Sequence, residues 1–100
     1  MSKINYIKIA KKSARIQISE LRKINKIFNK SFSQAINVIS GCKGKVIFTG
    51  QGKSGKQALS ISSTMSSVGI PSFYIHPSET SHGDSGAIQR KDVLVIISFS

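Results

Sequence analysis

The sequence contains one cysteine, Cys42, so no disulfide can close within the chain, and a reducing compartment fits. No apolar run approaches the ~20 residues that a membrane-spanning helix needs. The first residues lack the continuous apolar stretch of a secretory signal. These absences lead us to expect a cytoplasmic protein that does not enter a membrane. Internal repeats and low-complexity segments are also missing. Acidic residues are scarce, four against fifteen Lys and Arg, for a formal net charge of +11.

That charge is unevenly placed. Residues 1–45 hold eleven of the cations and one acid, Glu20, whereas residues 46–100 hold four cations and three acids. The positive field therefore belongs to the N-terminal segment. A basic arm can bind nucleic acid or anionic lipid. Solvated lysines along a helix explain the same charge with fewer assumptions, so nucleic acid is not the expected partner and a basic nucleic-acid-binding protein stands only as a further alternative. One hundred residues, 39% of them apolar, make one small domain near the lower end of what builds its own core.

Residues 2–40 carry helical periodicity. Leu21, Ile24, Phe28, Phe32, Ala35 and Ile39 step by three or four and fall on one stripe. The stretch Asn29–Lys30–Ser31 divides this region into two helices, with Ser31 and Gln34 in the spacing of a capping box. From Lys45 the pattern changes. KVIFT (45–49) is a β-branched apolar run of the kind that forms a buried parallel strand. Ser54 and Gln57 form a second capping-box pattern, and residues 55–68 read as a helix with Ala58, Leu59, Ile61, Ser62 and Met65 facing inward. Gly69 and Pro71 end it. Residues 72–76 and 92–98 read as further strands, separated by a polar loop or short helix at 77–85. Helices followed by alternating strand and helix indicate an α/β fold with a parallel sheet.

Between the first strand and its helix lies GQGKSGK, residues 50–56. A strand, a glycine-rich turn and a helix N-terminus make an anion site: unpaired amides point outward and the helix dipole favours negative charge. Lys53 and Ser54 add an ammonium and a hydroxyl. The plain alternative is a tight βα turn with ordinary glycines. The nucleotide P-loop requires Ser or Thr after Gly-Lys to hold magnesium, and Gln57 stands there instead. The dinucleotide fold requires an acid at the end of the second strand. That strand ends at His76–Pro77, with Glu79 the nearest acid.

A second polar loop, HPSETSHGDSG (76–86), follows the second strand, where open parallel sheets collect ligands. His76, His82, Glu79 and Asp84 are of metal-ligating type, but their spacing matches no paired motif, and no metal is expected. His76 reads as a satisfied histidine at a strand end, and His82 as the better chemical candidate.

The combination of GQGKSG, then PSFYIHPSETSHGDSG, then KDVLVIIS resembles the sugar isomerase (SIS) domain of the arabinose-5-phosphate isomerase family. The likeness runs from about Gly44 to Ser98. It implies the N-terminal part of a doubly wound parallel-sheet α/β domain, with a helical segment at 1–43 and the first βαβαβ portion at 44–100. It also implies interconversion of D-arabinose 5-phosphate and D-ribulose 5-phosphate, with no cofactor, in a homotetramer. By motif position it assigns Lys53 and His82 to catalysis, and Gly52, Ser54, Gly55, Ser98 and Ser100 to substrate binding. The family's glutamate, a later histidine and its two CBS domains have no counterpart within these residues. The chain is thus expected to be a part of such an enzyme and inactive alone. The alternative expectation within the same fold is a non-catalytic sugar-phosphate-binding module.

Overall fold

The computed structural model describes residues 3–80 and 83–98, with backbone alone at 84 and 85. The chain forms two compact units, Met1–Ala35 and Ile36–Ser100.

In the first unit, helix α1 spans Tyr6–Arg22. Asn5 caps it, its side chain accepting the Lys8 amide at 3.0 Å. A 3₁₀ segment, Lys23–Ile27, follows, and helix α2 runs from Lys30 to Ser40, crossing into the second unit. The cap of α2 is Asn29, which accepts the Phe32 amide at 3.2 Å. The expected Ser31–Gln34 box does not form, because the Asn29 carbonyl already reaches the third amide of the helix and leaves Ser31 inside the first turn. The single expected stripe is also broken. A 3₁₀ segment turns every 3.0 residues, roughly, rather than 3.6, so positions on either side lose their common face. Phe28 and Phe32 still meet edge to face, with ring centroids 5.0 Å apart.

The second unit is a three-stranded parallel sheet, order β2-β1-β3, from β1 (Val46–Thr49), β2 (Ser72–Ile75) and β3 (Val93–Ile96). The continuous apolar character of β1 has a direct cause: it is the central strand, covered on both faces and paired on both edges, and every residue of it is buried. Helix α3 (Gly52–Ser67) links β1 to β2 and packs on both. Since β3 lies on the other side of β1, right-handed crossovers place the 76–92 connection on the face opposite α3. That connection holds a single helical turn, α4 (Pro77–Thr80), and a 3₁₀ turn at Asp84–Ala87.

Val46, Phe48 and Ala58 form one core cluster, with Ile39, Cys42, Met65, Tyr74, Val95 and Ile97 packed around them, and Ile47 and Ile75 are buried as well. Burying each large apolar side chain contributes about 2 kcal/mol. Helix α3 presents Gly55, Ala58 and Ser62 to the sheet. Their small size lets the helix sit close to β1, and the expected inward Leu59 and Ile61 fall on its flanks, 54% and 41% exposed. Gly69, at φ +89°, ends the helix as expected, and the Ile70 amide returns to the Met65 carbonyl at 3.0 Å.

Strand β3 is shorter than the expected 92–98, because its pairing partner β1 is four residues long. It is an edge strand, and Leu94 and Ile96 are exposed on the face opposite α3. Among the described residues no helix is long and apolar enough to cross a membrane.

Asp92 ties the amino ends of β1 and β3 together. Its Oδ1 accepts the Lys45 amide at 2.7 Å, and its Oδ2 accepts the Gln89 amide at 2.7 Å and lies 3.4 Å from Lys45 Nζ. The backbone bonds from Lys45 and Gln89, followed by the Lys45 charge, hold its carboxyl below the ordinary 3.8. Gly44 lies against this carboxylate, where any Cβ would strike Oδ1. A depressed folded-state value means that the stabilisation is complete above the unfolded pKa and is lost as pH falls through the lower, folded one. We predict that acid unfolding shows a component below pH 3.8 that Asp92→Asn removes. The same substitution lowers the thermal midpoint at pH 7, and circular dichroism melts at both pH values check this. A second prediction concerns α2: Asn29→Ala costs about 1 kcal/mol of helix stability, read by urea unfolding, while Ser31→Ala costs much less.

Candidate functional site

The site is built where β1 ends. Gly50 is buried, and a Cβ there would lie 2.8 Å from the Ile97 carbonyl and 3.1 Å from the Ser54 backbone carbon. Only glycine lets β3, β1 and α3 approach so closely. Gln51 is extended, with φ −111° and ψ 153°, and caps α3 without a side-chain hydrogen bond. Gly52 then adopts φ +61°, the left-handed region that glycine enters without strain.

Helix α3 starts at Gly52, three residues before the expected start at 55, so Ser54 is not its cap. The first helical bond runs from the Gly55 amide to the Gln51 carbonyl at 3.2 Å. By helix geometry the amides of Gly52, Lys53 and Ser54 have no acceptor within the helix. The early start places the Lys-Ser pair in the first turn itself, where the dipole is felt most.

Ser54 is half-buried and lines a cleft of about 280 Å³ with Gly50, Gln51, Pro77, Ile96, Ile97 and Ser98. This cleft opens at the carboxyl ends of the strands, where open α/β sheets bind ligands. Sequence and structure therefore bring Gly52, Lys53, Ser54, Gly55 and Ser98 to one end of the sheet. Lys53 is exposed beside the cleft rather than in its lining. His82 and Ser100 lie outside the described residues.

His76 is exposed, and its Nδ1 accepts the Ser78 amide at 3.1 Å and lies 2.7 Å from Ser78 Oγ. An amide can only donate, so this bond requires an unprotonated Nδ1, with the ring proton on Nε2. His76 thereby starts the α4 turn, as a histidine satisfied at a strand end. Among the described residues, no three His, Cys, Asp or Glu side chains gather as a metal site would require.

The residue that sequence reasoning missed is Tyr74. Its hydroxyl donates to the Gly50 carbonyl at 2.8 Å. Tyr74 pairs in register with Phe48, two residues before Gly50, which aims its long side chain toward the turn. Knowledge of that register would have been the only signal. With Gly52, Gly55, Lys56, Leu59 and His76, Tyr74 lines a neighbouring cavity of about 220 Å³. A larger cavity, about 600 Å³, lies along Ile16–Ile24 of the helical unit. Its charged groups, Glu20 and Lys23, pair with each other at 2.9 Å, and it carries no further chemistry.

A turn of this kind can hold a phosphate on three amides and a hydroxyl, with an ammonium beside it. No family model matches the chain. Individual proteins do. A protein of Haemophilus influenzae named as a probable arabinose 5-phosphate isomerase is 36% identical over 98 residues, 98% of this chain and 29% of its own length. The arabinose 5-phosphate isomerase GutQ of Salmonella typhi is 40% identical over 85 residues, 85% of this chain and 26% of its own. Escherichia coli CFT073 c3406, solved in complex with arabinose 5-phosphate, superposes with a TM-score of 0.77 at 35% identity over 97% of this chain and 53% of that one. The chain is similar over nearly its whole length to the N-terminal part of arabinose 5-phosphate isomerases. It spans between a quarter and a third of the length of these curated relatives and about half of the solved chain. The fold is the α/β, parallel-sheet architecture of the solved proteins it superposes on, one of them described as a phosphosugar isomerase.

We predict unequal costs of substitution along the turn. Gly50→Ala places a methyl against backbone on two sides and costs about 1–3 kcal/mol. Gly52→Ala meets open space and costs only the left-handed strain, about 1 kcal/mol. Urea unfolding of both variants beside the parent protein distinguishes the two.

Proposed function

We propose that this chain supplies the phosphate-holding part of an aldose–ketose isomerase that interconverts D-arabinose 5-phosphate and D-ribulose 5-phosphate. The observation that carries the reading is the first turn of α3. Three amides without helical acceptors and the Ser54 hydroxyl lie at the carboxyl edge of the sheet, in a chain whose relatives bear the name of that enzyme. In this reading residues 1–43 form the helical lead-in and residues 44–100 the first βαβαβ portion of the domain. The rest of the domain completes the site.

The reaction moves a proton between adjacent carbons. A base removes the proton from C2 of the open-chain aldose while the carbonyl oxygen at C1 is protonated, giving a cis-enediol. Return of a proton to C1 and loss of one from the C2 hydroxyl yields the ketose. Such a path needs a positioned base and a group that stabilises developing oxyanion charge. In our reading Lys53 supplies the positive charge beside the oxygens, and His82 opens the sugar ring or moves the proton. The amides from Gly52 to Gly55, with Ser54, Ser98 and Ser100, hold the substrate. The step is redox-neutral and calls for no cofactor. The assembly is a cytoplasmic homo-oligomer, a tetramer by family likeness, whose product feeds lipopolysaccharide synthesis.

A second reading, a sugar-phosphate-binding module without turnover, is favoured by one observation: Lys53 stands beside the Ser54 cleft rather than in its lining. Both readings are tested with a chimera of residues 1–98 followed by the remaining part of c3406. Interconversion of the two pentose phosphates supports the isomerase. Tight binding of arabinose 5-phosphate without turnover supports the module. Lys53→Ala in the chimera is expected to lower kcat by about 10²-fold, the loss typical of one oxyanion-stabilising group. Full activity in that variant overturns the role given to Lys53. The 100-residue chain alone is expected to show no turnover.

A further inference from the structure

The Gly50 carbonyl stands at a branch point. In α3 the first helical acceptor is the Gln51 carbonyl, which takes the Gly55 amide. One residue further back, the Gly50 carbonyl is the natural acceptor for the Ser54 amide, since helical bonds span four residues. Among the described residues that bond is not made. The Gly50 carbonyl instead accepts from Tyr74 Oη, at 2.8 Å.

Two further observations bear on this contact. Gly55 has no Cβ, and one built there would lie 2.5 Å from the Gly50 carbonyl oxygen and 3.0 Å from Tyr74 Oη. The hydroxyl, the carbonyl and the Gly55 α-carbon therefore form one close-packed contact. The Tyr74 side chain lines the cavity with Lys56 and Leu59, not the cleft lined by Ser54 and Ser98. It acts on the turn from behind and does not reach the cleft where a ligand would sit.

We propose that Tyr74 is a positioning residue of the anion site. By drawing the Gly50 carbonyl toward β2, it stops α3 from extending backward and keeps the Ser54 amide open to a phosphate. This inference rests on the reading of the turn as a sugar-phosphate site. The physical cause is competition for one acceptor. Gly50 is buried, and a buried carbonyl without a donor is costly. If the hydroxyl is removed, the helical donor that would take its place is the Ser54 amide, one of the three that the site needs.

The test is a titration of the full 100-residue chain with D-arabinose 5-phosphate and with inorganic phosphate, followed by ¹⁵N–¹H spectra, for the parent protein and Tyr74→Phe. The parent protein is expected to shift the amides from Gly52 to Ser54. In Tyr74→Phe both ligands bind about fivefold more weakly, the value of one amide hydrogen bond. Hydrogen exchange at the Ser54 amide slows in that variant, because the group becomes paired. If Tyr74→Phe does not fold, hydrogen exchange in the parent protein decides: a Ser54 amide as unprotected as those of Gly52 and Lys53 sustains the proposal, and a protected one overturns it. A lower thermal midpoint in Tyr74→Phe with unchanged affinity and unchanged Ser54 exchange overturns the proposal. If the parent protein binds neither ligand, the same titration of the chimera decides the sugar-phosphate reading, and absence of binding there overturns it. Ser54 exchange then decides Tyr74 alone: slower exchange in the variant sustains its hold on the turn, and equal exchange overturns it.

Discussion

The carbonyl of Gly50 lies against the α-carbon of Gly55 with no room for a methyl group between them. That close approach joins the end of the central strand to the first turn of α3, and the rest of the sheet unit is arranged around it. It sets where α3 begins, and so which amides remain without acceptors. It brings α3 down onto β1, where Ala58 and Ser62 continue the stripe of small residues. It also places the Ile97 carbonyl beside Gly50, so that β3 and the turn share one edge of the sheet. A side chain at either glycine would pull all three apart.

The opposite end of the sheet is held by different physics. Asp92 gathers two backbone amides and a lysine at the start of β1 and β3, and Ser72 Oγ donates to the Val46 carbonyl at 2.7 Å beside them. The amino ends are thus clamped by side chains hydrogen-bonded to backbone. The carboxyl ends are left to glycines and free amides. This division suits a ligand site, because the edge that must hold a ligand spends few of its own polar groups on the fold. The net positive charge contributes little here, since most of it belongs to residues 1–45. In the proposed reading, local amides and one lysine carry the anion chemistry.

Two well-known nucleotide loops share the glycine spacing of this turn, and the structure clarifies why neither describes it. Gln57 is exposed on α3, with no hydroxyl where a P-loop holds its metal. The strand that would carry a ribose-binding acid ends instead at His76, whose ring is engaged in starting α4. What distinguishes the loop is Lys53 and Ser54 in the first helical turn, together with Tyr74 behind it.

Much of the fold was legible from local pattern. The buried run at 46–49, the helix stop at Gly69 and the parallel arrangement follow from hydrophobic period and glycine chemistry, which act over a few residues. The glycine turn and the family likeness were equally readable, because the residues that carry them are contiguous. Helix starts were read less well: Asn29 and Gln51 displaced the expected caps at Ser31 and Ser54, since several polar side chains stood near each terminus and only backbone geometry chose among them. The inward face of α3 was also misjudged at Leu59 and Ile61, because hydrophobicity marks apolar residues and not the small ones that permit close packing. Tyr74 could not be found from sequence at all. Its partner lies 24 residues earlier, just past the end of another strand, and strand register, a property of the assembled sheet, decides whether the two meet. The sequence by itself determined which residues can build an anion-holding turn. Tertiary structure decided which amides remain open, because that depends on where one buried carbonyl finds its donor.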